Sequence, residues 1–248
     1  MLKVLRTAAW ISAAAWAGLI VARGRFWDAS ADGLREPEPG GPVPAVHAVV
    51  PARNEADVIA RTLTSLLRQD YGGRFAVTVV DDRSEDGTRE AAEAAIAAAP
   101  APARARVVAA RSRADGWTGK MWALAEGVAA VREDAQAPAY WWFTDADVEH
   151  DPDTLARLVA TAMRDDRALV SQMVALHCAS AAERLLIPAF VFFFRMLYPF
   201  AWVNDDRRTT AAAAGGSVLL SDHVLLRIGG IERIRGELID DCALASAV

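Results

Sequence analysis

The chain has 248 residues and a mass of 26.6 kDa, with 53% hydrophobic and 24% charged residues and a mean hydropathy of +0.14; this excludes a disordered chain, a collagen-like chain and a polytopic membrane protein. Residues 1–25 carry Lys3, Arg6, Arg23 and Arg25 and no acid, so the rest holds 23 basic and 32 acidic residues; a net charge of −9 there disfavours nucleic acid as a partner. The two cysteines, Cys178 and Cys242, offer neither metal-ligand spacing nor a disulfide framework.

Between Arg6 and Arg23, the uncharged stretch Thr7 to Ala22 contains Trp10, Ile11, Trp16, Leu19, Ile20 and Val21 and predicts a helix. It is slightly short for a bilayer crossing, but flanking arginines can snorkel and tryptophans favour the interface. Residues 1–27 therefore read as a single-pass signal anchor, with a cleaved signal peptide as the rival, and basic residues on both flanks leave the orientation open. Residues 28–44 hold four prolines and three glycines without periodicity and read as a linker. The domain then runs over residues 45–248.

From Ala45 the pattern alternates. Strands are predicted at Val46–Val50, Phe75–Val80, Arg106–Ala109 and Tyr140–Thr144, and helices at Glu55–Gln69, Thr88–Ala99 and Lys120–Val131. Such alternation implies a Rossmann-like, mostly parallel α/β sheet covered on both faces, with ligands at the carboxyl ends of the strands. Those ends read PARNE (51–55), DDRSEDGT (81–88) and TDAD (144–147). No G-x-G-x-x-G follows the first strand, and GWTGK (116–120) lacks the glycine spacing and the Ser/Thr of a P-loop, which disfavours dinucleotide redox and P-loop NTPase chemistry.

Asp81, Asp82, Asp145 and Asp147 are expected to cluster at this edge, where two unit charges 4 Å apart cost about 4 kcal/mol at an effective dielectric of 20. A hard cation such as Mg2+ or Mn2+ relieves that repulsion and keeps positions open for phosphate oxygens. Singly, each motif also fits an ordinary strand-to-helix turn, with Ser84 or Asp86 as a cap. Lys120 is one of only two lysines against 25 arginines, and a compact ammonium at a helix start suits a phosphate; a solvated surface lysine is the plain alternative. His47, His150, His177 and His223 show no ligand spacing and read as surface or satisfied core residues.

Taken together, these residues resemble the inverting family 2 glycosyltransferases of GT-A fold, over about Ala45 to Ala245. VVPARNE (49–55) is similar to the family's opening strand and turn, which implies that Pro51, Ala52 and Glu55 border a nucleotide sugar. In VDDRSEDGT (80–88) the second aspartate, Asp82, is implied to face the uracil base. Asp145-Ala146-Asp147 matches the D-x-D motif, implying Asp147 on the metal and Asp145 near the ribose and diphosphate, while Gly119-Lys120 matches a basic site near the diphosphate. IDDCALA (239–245) is similar to the E-D-x-x-L-A motif, which makes Asp241 the implied general base, with Asp240 where glutamate is usual. Gly215 and Gly216 read as an acceptor-side approach. Among subgroups, the anchor, GWTGK, TDADVEHDPDTL and the 214–245 stretch most resemble the hopanoid-associated glycosyltransferases.

The resemblance implies metal-assisted single displacement, with Lys120 supplying charge to the leaving diphosphate and Asp241 taking the acceptor proton. It further implies a UDP-sugar donor and a lipid acceptor, a hopanoid or other polyisoprenoid, with the domain expected on the cytoplasmic face of a bacterial inner membrane. The Q-x-x-R-W motif of lipid-directed relatives is absent and the sequence stops seven residues past Asp241, so a chain truncated on its acceptor side is expected. Leu185–Val203 is intensely aromatic yet interrupted by Pro188, Arg195 and Pro199; it reads as an interfacial helix beside the acceptor entrance, with a buried core helix as the rival. Two other classes compete: a sugar nucleotidyltransferase, which PARNE does not suit, and a non-catalytic sugar-nucleotide-binding or scaffold protein.

Overall fold

The computed structural model describes residues 1–29, 33–100, 104–134, 137–237 and 239–248. In chain order its elements are α1 (Leu2–Ala22), β1 (Val46–Ala52), α2 (Ile59–Leu67), β2 (Phe75–Asp81), α3 (Thr88–Ala97), β3 (Ala105–Ala109), α4 (Gly119–Asp134) and β4 (Tyr140–Thr144). Then follow α5 (Thr154–Arg164), β5 (Leu169–Ser171), α6 (Ala181–Leu197), α7 (Phe200–Val203), β6 (Ser217–Ser221), α8 (Asp222–Arg227) and α9 (Asp240–Ala247), with a 3-10 turn at Ile231–Ile234. They form two units, Met1–Gly33 with Ala175–Ala212 and Leu34–Val174 with Ala213–Val248.

The second unit is the α/β sheet, in the order β3-β2-β1-β4-β6-β5. β1 to β4 are parallel, as expected, and β6 runs antiparallel to both its neighbours. Alternation along the strands divides the core between two faces. Ala48, Val50 and Trp142 pack with Ile59, Leu63, Leu66, Leu155 and Leu158 under α2 and α5. Val49, Trp141 and Phe143 pack with Met121, Leu124, Leu225 and Leu244 on the other face. β1, β2 and β4 are therefore buried on both sides, which is why they read as apolar runs, while β3 at the sheet edge is only part-buried.

Two differences from expectation have local causes. α2 begins at Ile59 rather than Glu55, because the Glu55 and Ala56 amides donate to Thr88 and Asp86 instead of opening a helix. β5 escapes the sequence pattern because a three-residue strand carries too little periodicity, and β6 is as short as β4 without its aromatic run. Part of segment 28–44 is also ordered against α5: the Arg35 amide donates to Thr161 Oγ1 at 2.8 Å, and Arg35 and Glu36 pair with Asp165 and Arg157.

The strand order reverses at β1, which opens a crevice outside the carboxyl ends of β1 and β4. Because β6 is antiparallel to β4, Ser217 at its entrance stands opposite Thr144 at the exit of β4, so Gly215 and Gly216 arrive beside Asp145.

In the first unit, neither α1 nor α6 has a buried residue, so the buried-core reading of 185–203 does not hold. Ser180 and Glu183 form a capping box at the start of α6. Arg23 donates to the Met196 and Leu197 carbonyls at 2.9 and 3.0 Å, and Arg195 to the Phe26 and Asp28 carbonyls at 2.9 and 2.6 Å.

Candidate functional site

The loops after β1 and β2 are stitched together by their own polar groups. Asp81 Oδ1 accepts from the Ser84 amide at 3.2 Å, Ser84 Oγ from the Asn54 amide at 3.0 Å, and Asn54 Oδ1 from the Glu85 amide at 3.0 Å. Asn54 and Arg83 take φ of 57° and 59°, a left-handed conformation that these bonds hold in place. Asp86 accepts from Ala56 and Thr88, and the Thr88 hydroxyl, with those amides, holds its carboxyl below the usual range.

Asp81 and Asp86 thus build the loop, and Asp82 is left over. It is buried, its amide donates to the Ala52 carbonyl at 2.9 Å, and Arg53 lies 3.8 Å from its Oδ2. It lines a cavity of about 300 Å³ with Arg53, Arg83, Glu85, Ser112 and Arg113, a volume at the lower end of the roughly 300–1,000 Å³ of small-molecule sites. A Cβ on Gly119 would stand 3.2 Å from Asp82 Oδ2, so the bare glycine admits that carboxylate to the start of α4.

One residue further, Lys120 Nζ lies 2.7 Å from Asp145 Oδ1 and 3.5 Å from Asp240 Oδ2. Burial pulls the Lys120 pKa down, but Asp145 and Asp240 outweigh it and hold the ammonium above its ordinary value. Asp145 is also raised, by burial first and then by Asp147 and Asp240, against the pull of Lys120. The lysine gains from the two carboxylates beside it, while desolvation first and like charge after it keep Asp145 raised. Glu55 is raised by burial and by Asp147, Asp86 and Asp145.

Asp241 is fixed by backbone donors. Its Oδ2 accepts from the Gly215 amide at 2.9 Å and its Oδ1 from the Cys242 amide at 2.7 Å. Pro51, Lys120, Asp145, Gly215, Asp240 and Asp241 line a second cavity of about 20 Å³, room for about one water molecule. Gly216 has another setting. Its carbonyl accepts from Thr144 Oγ1 at 2.9 Å, and its missing Cβ leaves space for Val174 at 3.1 Å.

The expected gathering of Asp81, Asp82, Asp145 and Asp147 about one ion is corrected. Among the described residues no group of three or more His, Cys, Asp or Glu side chains is placed to hold a metal. Successive residues at a strand exit face opposite ways, so Asp81 turns to Ser84 while Asp82 faces the Arg53 cavity. Asp147 is exposed and, among the described residues, takes no hydrogen bond or ion pair, while its charge bears on Glu55 and Asp145. One unengaged carboxylate in an acid-rich surround fits a hard cation whose other ligands are water and phosphate oxygens.

The sequence did not single out Arg113 and Ser112, which lie in the unpatterned stretch after β3. The buried His150 takes the satisfied-core setting, one of the two read for the histidines. His150 Nε2 lies 2.8 Å from Thr144 Oγ1, beside Trp142. His47 likewise pairs with Thr78 at 2.8 Å, and burial first, with arginines adding for His47, brings both histidines down to about 4, neutral as expected of satisfied core residues.

A family model described as glycosyl transferase family 2 matches residues 47–221. No curated protein matches the sequence. The solved mannosyltransferase PcManGT of Pyrobaculum calidifontis, in complex with GDP-Man and Mn2+, is similar with a TM-score of 0.64 and 22% identity, covering 98% of this chain and 62% of that one. TarS of S. aureus is similar with a TM-score of 0.52 and 15% identity, over 82% of this chain and 33% of that one. The glucosyl-3-phosphoglycerate synthase of M. tuberculosis gives a TM-score of 0.47 and 22% identity, over 82% of this chain and 67% of that one. The chain thus spans less than two thirds of the length of the mannosyltransferase it matches.

Proposed function

The chain belongs to glycosyl transferase family 2 and is a glycosyltransferase, and from that premise we propose that it moves a sugar from a UDP-sugar to a lipid hydroxyl with inversion at the anomeric carbon. Residues 45–248 act as the catalytic domain and residues 1–27 as a single-pass anchor, with the domain on the cytoplasmic face of a bacterial inner membrane, where sugar nucleotides are made. The acceptor is a hopanoid or another polyisoprenoid, following the subgroup resemblance.

One observation carries this reading: a nucleotide-sized cavity around Asp82 and a carboxylate–lysine cluster around Asp145 lie at the two sides of the Gly119-Lys120 helix start. Asp82, with Pro51 and Ala52 at the end of β1 and Glu55 in the loop after it, receives the nucleoside, and Asp145 the ribose and diphosphate. Asp147 would hold Mg2+ or Mn2+, which when bound supplies positive charge to the diphosphate leaving group. Lys120 adds charge on the same side as the sugar–phosphate bond breaks. Asp241, oriented by the Gly215 and Cys242 amides, takes the proton of the acceptor hydroxyl while that oxygen bonds to the anomeric carbon on the face opposite the diphosphate. Asp240 positions Lys120, and Gly215 leaves the acceptor an approach without a side chain.

The test supplies the full chain with Mn2+, a bacterial lipid extract and labelled UDP-glucose, UDP-N-acetylglucosamine or GDP-mannose. Label entering the organic phase, with the anomeric configuration opposite to that of the donor, is the expected result, and the productive nucleotide identifies the base that Asp82 reads. Nucleotide-sugar binding without release of nucleoside diphosphate would overturn the reading in favour of a non-catalytic binder.

A further inference from the structure

We propose that α6 lies in the plane of the membrane surface as a monotopic helix, with Leu186, Phe190, Phe193 and Leu197 dipped into the headgroup–acyl boundary, and does not cross the bilayer. This rests on the membrane reading given above. By length and composition alone, Ala181–Val203 is apolar enough to span. Three observations decide against spanning.

The first is connectivity. The segment leaves the sheet after β5 and rejoins it at β6, where the Ala214 amide donates to Ser171 Oγ at 3.1 Å and Val174 packs within 3.1 Å of a Cβ on Gly216. Both ends are thus fixed at neighbouring points of one strand pair. A helix that ended across a bilayer would need the chain to return, and only residues 204–212 are available for it. They carry Asp205, Asp206, Arg207 and Arg208. Drawing four charges back through about 30 Å of hydrocarbon is prohibitive.

The second is the helix surface. Leu186, Phe190, Phe193 and Leu197 follow one another at spacings of four, three and four, and are exposed by 65%, 59%, 55% and 52%. At 100° per residue they lie roughly 180–240° round the helix from Arg184. Arg195, eleven residues from Arg184, returns to the same side as Arg184. The side of the two arginines also carries Pro188 and Val191, so what distinguishes the exposed stripe is that it is clear of both arginines and can enter the headgroup–acyl boundary without burying either charge.

The third is charge and level. The reciprocal bonds from Arg23 to the end of α6 and from Arg195 to the Phe26 and Asp28 carbonyls tie the last turn of α6 to the arginine end of α1. Arg23 and Arg208 also stack on Trp202, 5.0 and 5.1 Å from its ring centre, and Arg195 on Phe200 at 4.7 Å. An arginine–tryptophan layer of this kind marks the headgroup level. This unit carries eight basic and five acidic residues, a net +3, against 19 basic and 27 acidic, a net −8, in the sheet unit. The basic unit suits anionic headgroups.

The test uses full-length chains with Cys178 and Cys242 replaced by serine and single cysteines placed as Leu186→Cys, Phe190→Cys, Phe193→Cys, Leu197→Cys, Arg184→Cys and Ile11→Cys. Each carries a polarity-sensitive fluorophore in 70:30 phosphatidylcholine:phosphatidylglycerol vesicles, with lipids brominated at shallow or deep acyl positions. The expected result is shallow quenching of similar extent at 186, 190, 193 and 197, none at 184, and deep quenching at 11. A profile deepest at 190 and shallow at both ends would overturn the proposal in favour of a span. No quenching at the four positions while position 11 is quenched would overturn it alone, with cross-links between chains identifying a second copy as the occupant. No quenching at position 11 either would remove the membrane reading itself.

Discussion

At the scale of single residues, the site is a division of labour among acids that look alike in the sequence. Asp81 and Asp86 shape loops, Asp82 faces a cavity, Asp145 and Asp240 share an ammonium, and two amides hold Asp241. Asp241→Asn keeps the shape and removes the proposed base, so kcat should fall by about 10²–10⁴ with donor affinity unchanged. Normal turnover would remove Asp241 from the mechanism. Gly215→Ala tests the same carboxylate from the other side. Its Cβ would sit 3.2 Å from Asp241 Oδ2 and 3.4 Å from Lys120 Nζ, and a displaced base should cost about 10- to 100-fold in kcat. Steady-state kinetics of the variant at saturating donor checks this.

At the scale of elements, α4 lies against β1 and β2 because Gly127 has no side chain. A Cβ there would meet Val49 Cγ1 at 2.4 Å and Val80 Cγ2 at 2.8 Å. Gly127→Ala gains about 1 kcal/mol of helix propensity and forces an overpacked helix–sheet contact worth about 1–3 kcal/mol. The net expectation is a lower urea midpoint, and an unchanged or higher midpoint would show that the contact relaxes freely. The central strands β1, β2 and β4 were legible because they are apolar on both faces, and the strand-end motifs because a sheet of this winding gathers its ligands at the carboxyl ends. What lay beyond the sequence was pairing between distant segments. No local pattern tells that β6 comes back antiparallel and sets Gly215 beside Asp241, or that Lys120 chooses Asp145 and Asp240. The roles of Asp81 and Asp82 likewise turn on which way each faces from the end of β2.

At the scale of the whole molecule, two buried neutral histidines make stability depend on pH. His47 and His150 are held at about 4, below their ordinary 6.5, so the unfolded chain binds more protons than the folded one between those values. Stability is full above pH 6.5 and is lost as pH falls toward 4, by about 2 kcal/mol for each histidine at pH 5. Urea unfolding at pH 7.5 and 5.0 should show this loss, and His150→Gln should remove about half of it; a pH-independent difference between the two proteins would contradict the assignment. The account as a whole depends on a donor held between Asp82 and Asp147 with the help of a divalent ion. The most direct measurement is calorimetric titration of the full chain with UDP-sugar, with and without Mn2+, beside Asp147→Ala and Asp82→Ala. The account predicts binding that needs Mn2+ and weakens at least about tenfold, or about 1.4 kcal/mol, in each variant. Equal affinity in the parent chain and both variants, with or without the ion, would contradict it.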